Sequence, residues 1–122
     1  MIVAGFGFTS RATADSLRAA LEATGHKGEV TVFAAPRDKA TQPALHDLAK
    51  EMHVTIMAID TDTLEAARTR TQSALSRLLR RTGSVAEAAA LSAIERKATL
   101  ITSRHISEDR QATCAIAKGA DT

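Results

Sequence analysis

Apolar residues fall into short continuous runs that alternate with stretches of helical period. Residues 1–6 hold the first run, Ile2-Val3-Ala4, continuous enough for a strand covered on both faces. From Thr9 or Ser10 the period changes. Ala14, Leu17, Ala20 and Leu21 share one face and predict a helix to about Thr24. Gly25 stands just past its end, where a left-handed cap is expected. Val30 to Ala34 predict a second strand, closing at Ala35-Pro36. A polar connector, Arg37 to Thr41, then leads to Thr41 as N-cap and Pro43 in a first turn that needs no N–H from it. Leu45, Leu48, Ala49 and Met52 carry that helix.

Val54 to Ile59 predict a third strand, and Asp62-Thr63-Leu64-Glu65 a reciprocally capped helix start. Residues 66–82 allow one long helix or two short ones. The β-branched Thr69 and Thr71 favour a break between them, and Gly83 ends the segment. Ser84-Val85-Ala86-Glu87 is a second capping box, opening an alanine-rich helix to about Arg96 that can pack very closely. Strands at Ala98 to Thr102 and Thr113 to Ala117 flank a polar loop, Ser103 to Arg110. The alternation predicts an α/β fold, a three-layer α/β/α sandwich around a sheet of about five strands.

At 122 residues the chain is expected to form one domain, residues 1–122, burying about 60–70% of its unfolded surface. Hydrophobic residues make up 44%, but Phe6, Phe8 and Phe33 are the only aromatics, so the core rests on Ala, Leu, Val and Ile. Sixteen cationic residues against fourteen acidic ones leave +2, too balanced for a nucleic-acid protein without a local basic stripe. The lone Cys114 excludes an internal disulfide, and no apolar run reaches the roughly 18 residues of a membrane span. The N-terminus also lacks a basic signal-peptide region. A cytoplasmic location is expected, with no membrane and no nucleic acid among the partners.

The first candidate site is Gly5-Phe6-Gly7-Phe8-Thr9-Ser10-Arg11, read as a tight turn between strand and helix. Helix N-termini attract anions, glycines let a ligand approach the backbone, and Arg11 offers a charged fork for carboxylate or phosphate. A ligand-free turn accounts for the same residues. Ser10 stands where a dinucleotide fingerprint has its third glycine, and no Gly-Lys-Ser/Thr follows, so nucleotide loops are unsupported. Arg37-Asp38-Lys39 after strand two is a second candidate, on the sheet edge where open α/β folds bind ligands. Glu87 reads either as a cap or as a general base. Ser73 and Ser76 lack a nucleophile elbow. The four histidines show no ligand spacing, so no metal site is expected.

Taken together, these stretches resemble the CobE/CbiG C-terminal domain family of cobalamin (vitamin B12) biosynthesis. The resemblance lies in Gly5-Phe6-Gly7 with Arg11, then Lys39 with Pro43 and Leu45, then Ser73 and Gly83. Val85-Ala86-Glu87-Ala88-Ala89-Ala90-Leu91 is its most specific part, followed by Lys97 and the strand Thr113 to Ala117. The resemblance implies a role in building the corrin ring. Two-domain relatives of the anaerobic pathway open the δ-lactone of cobalt-precorrin-5A and release acetaldehyde. The stand-alone form belongs to the aerobic pathway, and a chain that starts at its first strand is expected to be of that kind.

The expected function is binding of a polycarboxylated precorrin or corrin intermediate, as accessory or carrier. The alternative is a lactone hydrolase, with Glu87 and Ser73 as its catalytic candidates. Expected ligand-binding residues are Gly5, Phe6, Gly7, Arg11, Arg37, Lys39, Ser73, Gly83, Glu87 and Lys97. Other cobalamin-pathway enzymes are expected as partners, and no cofactor. One position departs from the family pattern. Relatives commonly carry a Glu three residues after the connector lysine, where this chain has Gln42, an amide that cannot serve as a base.

Overall fold

The computed structural model describes residues 2–60, 62, 84–94 and 99–119. Within them the elements are β1 (Ile2–Phe8), α1 (Ala14–Ala23), a single 3₁₀ turn (Lys27–Glu29), β2 (Val32–Pro36) and α2 (Arg37–Ala40). These are followed by α3 (Pro43–Met52), β3 (Thr55–Ile59), α4 (Ser84–Ser92), β4 (Thr99–Ile106) and β5 (Ala112–Lys118). Five strands form one sheet in the order β3-β2-β1-β5-β4. β1, β2 and β3 run parallel, with Val3 opposite Val32 and Val32 opposite Thr55. β5 pairs antiparallel with β1, placing Gly5 opposite Ala115 and Gly7 opposite Thr113. β4 forms a hairpin with β5, and its register slips twice, between Leu100 and Thr102 and between Thr102 and His105.

Helices cover both faces of this mixed sheet, so the expected three-layer architecture is the observed one. On the first face Ala4, Phe6 and Phe8 of β1 join Phe33, Cys114 and Ile116 against Leu17 and Leu21 of α1 and Leu45 and Leu48 of α3. Phe6 meets Phe33 edge to face at 4.9 Å, a favoured arrangement of the two ring quadrupoles. On the second face Val3, Ala34 and Ala117 lie against Ala89, Ala90 and Leu91 of α4. Arg18 of α1 grips Glu51 of α3 through both carboxylate oxygens, at 3.0 and 2.5 Å, and also pairs with Asp15. Burial costs the Cys114 thiol its charged form and pushes its pKa well up, consistent with a small core residue.

The glycine stretch departs from expectation. Gly5-Phe6-Gly7 is not a turn: β1 continues through it to Phe8, and both glycines are paired with β5. The helix accordingly starts later, at Ala14. Thr13 is its N-cap, accepting from the Ser16 N–H at 3.2 Å, while the Ser16 hydroxyl accepts from the Thr13 N–H at 3.1 Å. Steric demand explains the glycines. A Cβ on Gly5 would lie 2.1 Å from the Ala86 carbonyl oxygen and 2.5 Å from the Ala90 nitrogen, so α4 rests directly on the strand backbone.

Four smaller differences concern the bounds of elements. The connector after β2 coils into the short helix α2, and Gln42 rather than Thr41 is the N-cap of α3, with Pro43 in its first turn. β4 extends through Ser103 to Ile106, because a polar edge strand carries little apolar signal. α4 stops at Ser92 rather than near Arg96. Gly25 does take the left-handed conformation, φ 79°. The helix start at Asp62-Glu65 and the choice between one and two helices over residues 66–82 lie outside the described residues. Among those described, no helix is long and apolar enough to cross a membrane.

Candidate functional site

The parallel start of the sheet brings the carboxyl ends of β1 and β2 side by side, and the antiparallel hairpin returns β5 to the same edge. A cleft of about 580 Å³ opens there. Its floor is the end of the β1–β5 ladder, Gly7, Phe8, Ala112 and Thr113, where the Thr113 hydroxyl donates to the Gly7 carbonyl at 3.1 Å. One wall is Pro36 with Asp38 and Lys39 of α2. The opposite wall is Arg110 and Gln111 from the β4–β5 turn, with Thr9 between them and Val85 of α4 closing the side.

Pro36 holds an extended conformation (φ −55°, ψ 147°), and α2 turns sharply from it, which brings Lys39 back over the end of β1. The Lys39 ammonium lies 5.8 Å from the centre of the Phe8 ring, within reach of the ring's negative face. The Gln42 N–H donates to the Lys39 carbonyl at 3.0 Å and fixes the backbone that carries this cation. The Gln42 side chain makes no capping bond to α3. Val85 belongs to the first turn of α4, so the positive end of that helix borders the cleft.

The β4–β5 turn is braced from within. Asp109 Oδ1 accepts from the Ser107 hydroxyl at 2.6 Å and the Gln111 N–H at 3.0 Å, and Oδ2 accepts from the Ser16 hydroxyl of α1 at 2.5 Å. These donors, Ser107 first and Ser16 next, hold the Asp109 carboxyl below the usual carboxylate range. Thr9 ties the far side, its N–H donating to the Gln111 carbonyl at 2.9 Å and its hydroxyl to the Gln111 amide oxygen at 2.5 Å. A second, acidic depression of about 590 Å³ lies behind this turn, with Asp15, Glu22, Glu108 and Asp109 on its walls.

Of the expected binding residues, the structure brings Gly7 and Lys39 to the cleft. Arg11 and Arg37 are exposed but line no part of it. Gly5 is buried beneath α4, and Phe6 is fully buried on the opposite face of the sheet. Glu87 lies in the first turn of α4, its side chain outside the described set. Ser73, Gly83 and Lys97 lie outside the described residues. The sequence reading missed Arg110 and Gln111. The signal was present, since a polar stretch between two strands is a hairpin turn, but only the antiparallel register of β5 on β1, with Gly7 opposite Thr113, brings this turn to the cleft that Lys39 also lines.

A five-stranded mixed sheet of this order, layered with helices on both faces and open at the carboxyl ends of its parallel strands, defines a layered α/β protein. The family described as cobalamin synthesis G C-terminus matches residues 2–117, and the chain belongs to it. The protein is thus a CobE/CbiG-like cobalamin biosynthesis protein.

Two solved structures are similar over nearly the whole fold. The cobalamin biosynthesis protein chiG from Agrobacterium tumefaciens shares 30% identity at a TM-score of 0.78, over 99% of this chain and 100% of its own. CobE, a protein from the cobalamin biosynthetic pathway, shares 32% at 0.76, over 96% of this chain and 89% of its own. A cobalamin biosynthesis protein G homolog from Sulfolobus solfataricus, 20% identical at 0.68, shares the fold over 95% of this chain and 36% of its own. No curated protein sequence matches the chain.

Proposed function

We propose that the cleft at the carboxyl ends of β1 and β2 binds a polycarboxylated precorrin or corrin intermediate, and that the chain acts as an accessory or carrier protein of the aerobic pathway. The observation that carries this reading is the pairing of Lys39 with an apolar floor and walls, Phe8, Pro36, Val85 and Ala112. A corrin precursor has the matching character, a flat apolar ring whose edge carries carboxylates. The cleft is large enough for one edge of such a ring, leaving the remainder in contact with solvent. The named relatives of the cobalamin pathway support the ligand class.

A charge-assisted hydrogen bond contributes about 1.5–3 kcal/mol when shielded, and the half-buried Lys39 falls toward the lower end. Titration with hydrogenobyrinic acid, followed by visible absorbance, is expected to give a saturable change with the wild type. Lys39→Ala is expected to weaken binding by about tenfold. A flat titration of the folded wild-type protein would overturn the reading.

A further inference from the structure

We infer that Arg110 is the second cation of the cleft, held opposite Lys39 to grip a separate carboxylate of the bound molecule, an inference that rests on the function proposed above. Its backbone supplies the first reason. Arg110 takes φ 63°, a left-handed conformation that its Cβ disfavours and that glycine adopts freely. A turn needed only to close the hairpin would be served better by glycine.

The surroundings supply the second reason. Arg110 stands between Asp109 and Gln111, whose groups are tied to Ser107, Ser16 and Thr9, so the strained residue is fixed on both sides. Among the described residues its own guanidinium has no ion-pair partner, although Arg18 and Lys27 have theirs. A planar, permanently charged fork is therefore presented at the wall of the cleft with no ion-pair partner among the described residues.

Charge balance supplies the third. The described lining carries Lys39 and Arg110 against Asp38. Without Arg110 the lysine and the aspartate cancel and the cleft loses its preference for anions. With it, two cations on opposite walls select a ligand bearing at least two carboxylates set apart on one rigid frame.

The test combines titration with hydrogenobyrinic acid and thermal unfolding for wild type, Arg110→Gly and Arg110→Lys. Arg110→Gly is expected to raise Tm by about 1–4 °C through relief of the left-handed strain, less the entropy glycine gains on unfolding. The same variant is expected to bind about five- to tenfold more weakly, and Arg110→Lys to recover part of the loss. If the wild type and Lys39→Ala differ but Arg110→Gly binds within twofold of wild type, this inference fails while the cleft remains the binding site. A fall in Tm for Arg110→Gly would also overturn it, because the side chain would then serve the fold. A wild type that does not bind removes both readings together.

Discussion

The central strand has two faces built on opposite rules. On one, Ala4, Phe6 and Phe8 fill the distance to α1 and α3 with bulky side chains. On the other, Val3 is followed by Gly5 and Gly7, and α4 comes down until its backbone would touch a Cβ. The first face is held by the volume of what fills it, at about 1.5–3 kcal/mol for each large apolar side chain buried. The second is held by absence of volume, which allows dispersion contacts between main-chain atoms over several residues. One strand thus encodes two helix heights by alternating phenylalanine with glycine. The lower helix also carries Val85 to the edge of the cleft.

The most damaging single change should fall on the empty face. In Gly5→Ala the new methyl would sit 2.1 Å from the Ala86 carbonyl oxygen, and backbone cannot rotate away as a side chain can. α4 must lift by more than an ångström along its contact with the sheet. The expected loss is about 4 kcal/mol or more, a large share of the roughly 5–15 kcal/mol available to a domain. Urea unfolding followed by circular dichroism measures it. A midpoint for Gly5→Ala close to wild type would show that α4 does not rest on the strand as described.

On the filled face the same logic runs in reverse. Phe6→Ala removes a fully buried ring and its edge-to-face contact with Phe33. The expected loss is about 3–5 kcal/mol from transfer and cavity terms together, at the lower end if Leu17 and Leu21 close in. Phe6→Leu should recover more than half of it in the same unfolding experiment, because this face requires volume. Equal losses for the two variants would mean that ring geometry, not volume, sets the height of α1 and α3.

This contrast explains which parts of the molecule could be read in advance. Helices α1 and α3 follow from periodicity, since their apolar stripes meet the filled face, and strands β2 and β3 follow from short apolar runs whose residues divide between the two faces. The end of β1 was hidden because glycine is the commonest turn signal, and nothing local distinguishes a glycine in a turn from one beneath a helix. The helix that requires Gly5 lies some eighty residues downstream. Its alanines predicted close packing, but not the surface it would pack against. The cleft was half readable for the same reason. Lys39 follows β2 and could be placed at the sheet edge, whereas Arg110 reaches it only because β5 runs antiparallel to β1. Its position between two glycines groups Phe6 with them as a binding residue, whereas the pleat sends its ring to the other side of the sheet.

Gly7→Ala is the smallest of these changes and probes where the empty face meets the cleft. Its Cβ would lie 3.1 Å from the Thr113 hydroxyl oxygen and 3.3 Å from Val85 Cγ1, so those two side chains need give way by only a few tenths of an ångström. The expected loss of stability is about 1 kcal/mol, well below that of Gly5→Ala. Both contacts belong to the cleft lining, however, and the methyl would enter its floor. Ligand affinity should therefore fall along with stability, by about three- to tenfold in the hydrogenobyrinic acid titration, as expected for an obstructed apolar floor. A variant that loses stability but binds as wild type would place the ligand higher in the cleft, against Lys39 and the β4–β5 turn and clear of the β1–β5 ladder.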